Sequence, residues 1–197
     1  MTTTELALGE RLDGSEPFRS GGEKLDLTLL DFWRWSEADL LATSTRARLA
    51  EFAVARLLGI CTAVPRTDRS PDLRTPDGIA VRVKSASCVT CESRRDLSKI
   101  HFSPLPWRAP RRDPACAPPL PQTRAYVFAL LGRPEQTELN PLDLAQWRYF
   151  VPPTAALEAK MRRQRTLSLC ALEELSGGPV PSGGLADAVR RAAKTGS

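Results

Sequence analysis

Asp72 and Lys84 stand near the two ends of the stretch PDLRTPDGIAVRVK, residues 71–84. A carboxylate offers hard oxygen ligands to a divalent cation, and a lysine beside it can orient or activate a water. Together they fit metal-assisted displacement at a phosphate. A third group is Glu51, within STRARLAEFAVARLLG, residues 44–59. In a helix its neighbours at i+3, i+4 and i+7 are Val54, Ala55 and Leu58, all apolar. A carboxylate on such a flank needs a cation or a metal more than one on a charged face does. The plainer alternative is that Glu51 only pairs with Arg48 or another arginine. Position 82, where a second carboxylate would complete the set, holds Arg82.

The local sequence positions these groups. Pro76 presets φ for the first central residue of a turn, Asp77 suits the second, and Gly78 accepts the left-handed conformation that follows. Residues 71–75 and 79–86 are therefore expected to pair as an antiparallel hairpin. Side chains alternate along a strand, so Ile79, Val81, Val83 and Ser85 face the core. Ala80, Arg82, Lys84 and Ala86 take the other face, with the two cations side by side. Asp72 joins them if the pairing puts it on that face. Asp77 is the competing aspartate, but it belongs to the turn, away from Arg82 and Lys84, and Asp72 is preferred.

Around the hairpin the apolar pattern predicts further elements. Leu29, Phe32, Trp33, Leu40 and Leu41 recur at helical spacing over residues 27–42. A second helix over 44–59 is expected to be capped by Ser44 or Thr45 and ended by Gly59. Residues 60–66 suit a short strand. RAYVFALLG (124–132) reads as a buried strand, and WRYFVPP (147–153) as another, stopped by its prolines. TAALEAKM (154–161) reads as a short helix, TLSLCALEEL (166–175) as a brief strand turning into a helix, and LADAVRRAAK as a loose terminal helix. The division expected is a disordered tail over 1–24, one mixed α/β domain over 25–175, and a flexible linker with a short helix over 176–197. Seven prolines between 104 and 121 forbid a regular helix or central strand and mark a long loop.

Charge and cysteine usage narrow the function classes. The chain has 197 residues and a net charge of +5, which permits a polyanionic partner without demanding one. The excess is uneven: Arg94, Arg95, Lys99, Arg108, Arg111 and Arg112, with Trp107 among them, face only Asp96 between residues 94 and 112. Such a stretch suits phosphate contact with base stacking, or simply a charged surface loop. Five cysteines, an odd number, argue against a disulfide framework. Cys88 and Cys91 form a lone close pair with no second pair and a single histidine, His101, so ordinary thiols are favoured over zinc. No apolar run reaches bilayer length, and the N-terminal segment lacks the pattern of a secretory signal, so no membrane partner and a cytoplasmic location are expected.

The order of helix glutamate, strand-opening aspartate and x-K on the next strand resembles the PD-(D/E)xK nuclease superfamily. LDFWRW (30–35), LAEFAVARLLG (49–59), PDLRTPDGIAVRVKSAS (71–87), LSKIHFS (97–103), YVFALLG (126–132) and PLDLAQWRYFVPPTAAL (141–157) together resemble an uncharacterised bacterial branch of it. The resemblance runs over about residues 28–175. It implies a restriction-endonuclease-like core, a central mixed sheet flanked by helices. It also implies Mg²⁺ or Mn²⁺ as cofactor and DNA as partner. A second copy of the chain is a further candidate partner, since domains of this kind often dimerise to cut two strands. By position, Glu51 would be the helix glutamate, Asp72 the metal-ligating aspartate and Lys84 the lysine that positions or activates water. Val83 would lend its backbone carbonyl to the metal. Two departures stand out: Arg82 replaces the acid of the (D/E)-x-K, and CVTC at 88–91 lacks the aromatic and glutamine expected there.

Arg82 changes the electrostatics most. A unit charge about 5 Å from a site contributes about 3 kcal/mol at an effective dielectric of about 20, and a divalent ion doubles that. Exchanging carboxylate for a guanidinium that does not deprotonate reverses the sign, unless Arg82 turns outward or pairs with Asp72. The reading favoured is a nuclease-like DNA-binding protein whose catalysis is impaired by Arg82. The alternatives are an active metal-dependent DNA endonuclease, in restriction or phage defence, and a protein-interaction subunit using the proline-rich loop.

Overall fold

A computed structural model describes residues 12–60, 72–88, 100–102, 123–133, 138–162, 164 and 166–195. Its centre is a four-stranded mixed sheet, in the order β3 (Leu73–Arg74), β4 (Ala80–Ser87), β6 (Ala125–Leu131), β7 (Trp147–Phe150). β4 and β6 run parallel, Val81 beside Ala125 through Ser87 beside Leu131, while the outer pairings are antiparallel. Among the described residues five helices accompany it: α1 (Leu29–Ser36), α2 (Thr43–Leu57), α3 (Thr154–Met161), α4 (Leu169–Ser176) and α5 (Leu185–Lys194). Two small sheets complete the described strands, β1 (Pro17–Ser20) with β2 (Glu23–Thr28), and β5 (His101–Phe102) with β8 (Leu167–Ser168).

The sheet separates two apolar cores, as its alternation requires. On one face Val81, Val83, Val127 and Ala129 pack with Ala50 and Val54 of α2 and Leu185 and Val189 of α5. On the other, Tyr126, Phe128 and Phe150 pack with Phe102, Leu157 of α3 and Leu172 of α4. Phe102 meets Phe128 edge-on, ring centroids 5.0 Å apart, a favoured aromatic geometry. β6 is buried along its whole length, which explains why its sequence is an unbroken apolar run.

Several expectations are corrected. The helix expected over 27–42 begins at Leu29, because Thr28 and Asp31 form a capping box. It stops at Ser36, and Asp39 then accepts the amides of Leu41 and Ala42 in a turn of its own. The tail expected over 1–24 contains, within its described part, a hairpin turning at Gly21 and Gly22, both with positive φ. α2 has Ala42 at its N-cap, without a side-chain cap, rather than Ser44 or Thr45. α5 is no loose appendage: Leu185 and Val189 are fully buried, and Val180, in the expected linker, bonds back to Tyr149. Of the strand expected over 60–66 only Ile60 is described, outside any strand; the rest of it and the proline-rich loop over 104–121 lie outside the described residues.

Because α5 closes one core, Leu185→Ala should lower unfolding stability by about 2–5 kcal/mol, as core truncations do, measured by urea denaturation. A change near zero would return α5 to the status of an appendage.

Candidate functional site

The site forms where α2 crosses the β3–β4 edge of the sheet. Thr75 and Gly78 close the turn, with Gly78 N–H donating to Thr75 C=O at 2.9 Å and Gly78 at φ +84°. The register then runs Leu73 opposite Val81 and Arg74 opposite Ala80. Continued by one residue, it sets Asp72 across from Arg82. The Asp72 carboxylate is fixed there, since its Oδ2 accepts the Val83 N–H at 2.8 Å. Asp77 instead lies exposed at the turn and pairs with Arg190 of α5, Oδ2 to Nε 3.3 Å; the Thr75 side chain, first among its contacts, holds its carboxyl below the ordinary value.

Glu51, Asp72 and Lys84 come within electrostatic reach of one another. Partial burial pushes the Glu51 carboxyl up, the Asp72 charge adds to this, and Lys84 and Arg48 oppose it. Partial burial also pushes the Lys84 ammonium down; Arg82 reinforces that, while Asp72 and Glu51 oppose it. Arg48 is not the dedicated partner of Glu51, because its Nη1 lies 2.6 Å from Glu37 Oε1. Glu51 and Lys84 therefore each sit in a field set by lost hydration and by neighbouring charges.

Arg82 does not turn outward. It is 5% exposed, lies beside Tyr126 of β6 in the parallel register, and its charge acts on both Lys84 and the Tyr126 phenol. An Arg82–Asp72 ion pair is absent among the described residues. The second core starts one step further along this face, at Ala86, packed among its side chains.

A divalent ion fits this donor set poorly. Two carboxylates are present, one of them already accepting the Val83 N–H, against a buried guanidinium and an ammonium. No three His, Cys, Asp or Glu residues gather where they could hold an ion among the described residues. Val83 is itself buried, and its N–H serves Asp72. Of the cysteine pair, Cys88 is buried and its thiol donates to the Gly132 carbonyl at 3.4 Å; Cys91 lies outside the described residues. So do all seven residues of the basic stretch: Arg94, Arg95, Lys99, Trp107, Arg108, Arg111 and Arg112.

Two charged groups beside the sheet were not read from the sequence. Burial raises the Tyr126 phenol first; Glu158 of α3 adds to that and Arg82 opposes it. Arg46 is buried in the first turn of α2. Its signal was available: it falls on the stripe of Ala50, Ala53 and Val54, where an arginine breaks an apolar pattern.

The raised Glu51 fixes the sign of a pH effect. A carboxyl whose folded value lies above its unfolded value near 4.5 destabilises the fold when ionised, and the penalty disappears as pH falls below the unfolded value. Glu51→Gln should therefore melt higher than the parent at pH 7, the gap closing as pH drops to 4.5 and below. A variant that melts lower at pH 7 would contradict the assignment. Comparison of the chain with protein-family models, with curated proteins and with solved structures finds no match.

Proposed function

We propose that this chain is a nuclease-like DNA-binding protein in which a buried arginine stands where the chemistry would require an acid. The observation that carries the reading is Arg82, 5% exposed and next but one to Lys84 on β4, at the strand position that the β3–β4 register sets across from Asp72. Two positive and two negative groups leave no net charge for a divalent cation to neutralise. The mixed sheet with α2 laid against β4 supports a restriction-endonuclease-like core, and the order Glu51, Asp72, Lys84 supports kinship with the PD-(D/E)xK site.

In this reading Lys84 keeps the part of its role that needs no metal. Half-buried, it presents an ammonium to a DNA phosphate as a point charge. Arg82 behind it raises the local positive potential, and Asp72 holds the strand edge in place through Val83. The net charge of +5 favours approach to a polyanion. The basic stretch over 94–112 would add phosphate and stacking contacts. An active Mg²⁺- or Mn²⁺-dependent endonuclease is the weaker alternative, because it needs a third ligand and a displaced Arg82.

A protein-interaction role has one observation of its own. Large apolar side chains stand exposed on β2 and α1, among them Leu25, Phe32 and Trp35, and on α2 at Phe52. Trp35 is 80% exposed. A second copy of the chain would be one such partner.

DNA binding should be metal-independent and salt-sensitive. Fluorescence anisotropy with a short duplex should give the same affinity in EDTA and in Mg²⁺, and Lys84→Ala should reduce the log–log salt slope by about 1. Absence of binding at low salt, or binding that requires Mg²⁺, would contradict the reading.

A further inference from the structure

The hairpin of β1 and β2 runs straight into α1, and together they leave much of their apolar surface in water. No residue of α1 is buried, though it carries Leu30, Phe32, Trp33 and Trp35, all exposed. Leu30 and Trp33 lean on the chain at Gly14, where a Cβ would meet them at 3.1 and 2.9 Å. Phe32 and Trp35, three residues apart, share another side of the helix, with ring centroids 6.3 Å apart. On the hairpin Phe18, Leu25 and Leu27 are exposed as well. A two-stranded hairpin on its own is marginally stable in water. Among the described residues β2 pairs only with β1, so its other edge is open.

These side chains set the scale of what would cover them. At about 150–250 Å² for a large apolar side chain, their exposed fractions leave roughly 500–800 Å² in water. One partner in a specific protein–protein interface contributes about 500–800 Å², whereas the largest apolar patch on an ordinary monomer is about 300–600 Å². The face is therefore large enough for a stable dimer.

The charges of β2 indicate which partner fits. Its sequence, EKLDLT, places Lys24 and Asp26 on the two sides of Leu25. Two identical strands paired antiparallel about a two-fold axis at Leu25 set Leu25 opposite Leu25. The same symmetry sets Lys24 of each copy opposite Asp26 of the other. Opposite charges directly across a strand pair are stabilising, and like charges destabilising. Registers shifted toward the turn set Glu23 opposite Asp26 or Lys24 opposite Lys24, like against like. Neither Lys24 nor Asp26 forms an ion pair among the described residues. Charges that guard a strand edge repel a second copy; this pair attracts one. We propose that β2 and α1 form a homodimer interface, in which the two β2 strands pair antiparallel about Leu25 and the two hairpins become one four-stranded sheet. The apolar side chains of α1 flank that junction. The dimer rests on the protein-interaction reading of this face and not on DNA binding.

The test is the mass of the full chain in solution, followed by sedimentation velocity over a dilution series without nucleic acid. The parent should run as a dimer of about 43 kDa, twice the 21.6 kDa chain, at about 50 µM, since interfaces of this size bind in the micromolar range or tighter. Lys24→Asp and Asp26→Lys each set like charges across the axis, twice, and each should raise the dissociation constant about tenfold or more. An equimolar mixture of the two variants should restore the parent's affinity, because each chain then meets its opposite charges. Restoration also shows that both variants are folded. A monomeric parent overturns the dimer and leaves the apolar face to a different protein, so the interaction reading outlives it. A dimer that either variant leaves unchanged, or a mixture no tighter than the variants alone, overturns the β2 interface. DNA anisotropy on the same variants reads the DNA-binding proposal separately.

Discussion

A central strand that carries two cations on a buried face must find negative charge for them, and much of this molecule follows from how β4 meets that demand. Its other face is ordinary: Val81 and Val83 pack under α2 and α5. On the cationic face Lys84 lies in the field of Asp72 and Glu51, and Arg82 is buried beside Tyr126. Leaving a buried charge uncompensated costs several kcal/mol, and Asp72 and Glu51 are the carboxylates whose charges favour the Lys84 ammonium against its desolvation. The Asp72–Val83 hydrogen bond of 2.8 Å fixes one of them, and α2 brings the other.

This compensation bears directly on chemistry. Carboxylates that already lie in the field of Lys84 have less attraction left for a divalent ion. The same arrangement that keeps the strand folded therefore weakens the metal site that the residue order resembles. Burial first, and then the Asp72 charge, push the Glu51 carboxyl up, so Asp72 already opposes its ionisation. A third in place of Arg82 would demand a cation from outside.

What the sequence made legible follows the strength of local signals. The Thr75–Gly78 turn, β6, β7 and α3 were readable because turn chemistry, unbroken apolar runs and paired prolines are strong markers. The β1–β2 hairpin was not, since its residues are almost all exposed and leave no alternation of burial to detect. α5 was read as a helix, but its packing into the core was not, because Gly, Pro and Ser before it resemble a linker, while its core contacts come partly from small residues such as Ala188 and Ala192. For the candidate site, residue types and order were visible, and Asp72 was preferred to Asp77 because Asp77 falls in the turn. The burial of Arg82 was not, because a strand sequence does not say how deep its polar face lies. Arg46 was overlooked because arginine is read by default as surface.

We propose that the buried charge of Arg82, standing where an acid would be needed, keeps a divalent ion out of this site. Calorimetric titration of Mn²⁺ into the protein and into Arg82→Glu tests it most directly. The account predicts no measurable binding to the parent and one bound ion per chain in the variant. Stoichiometric Mn²⁺ binding by the parent, abolished by Glu51→Gln or Asp72→Asn, would contradict it.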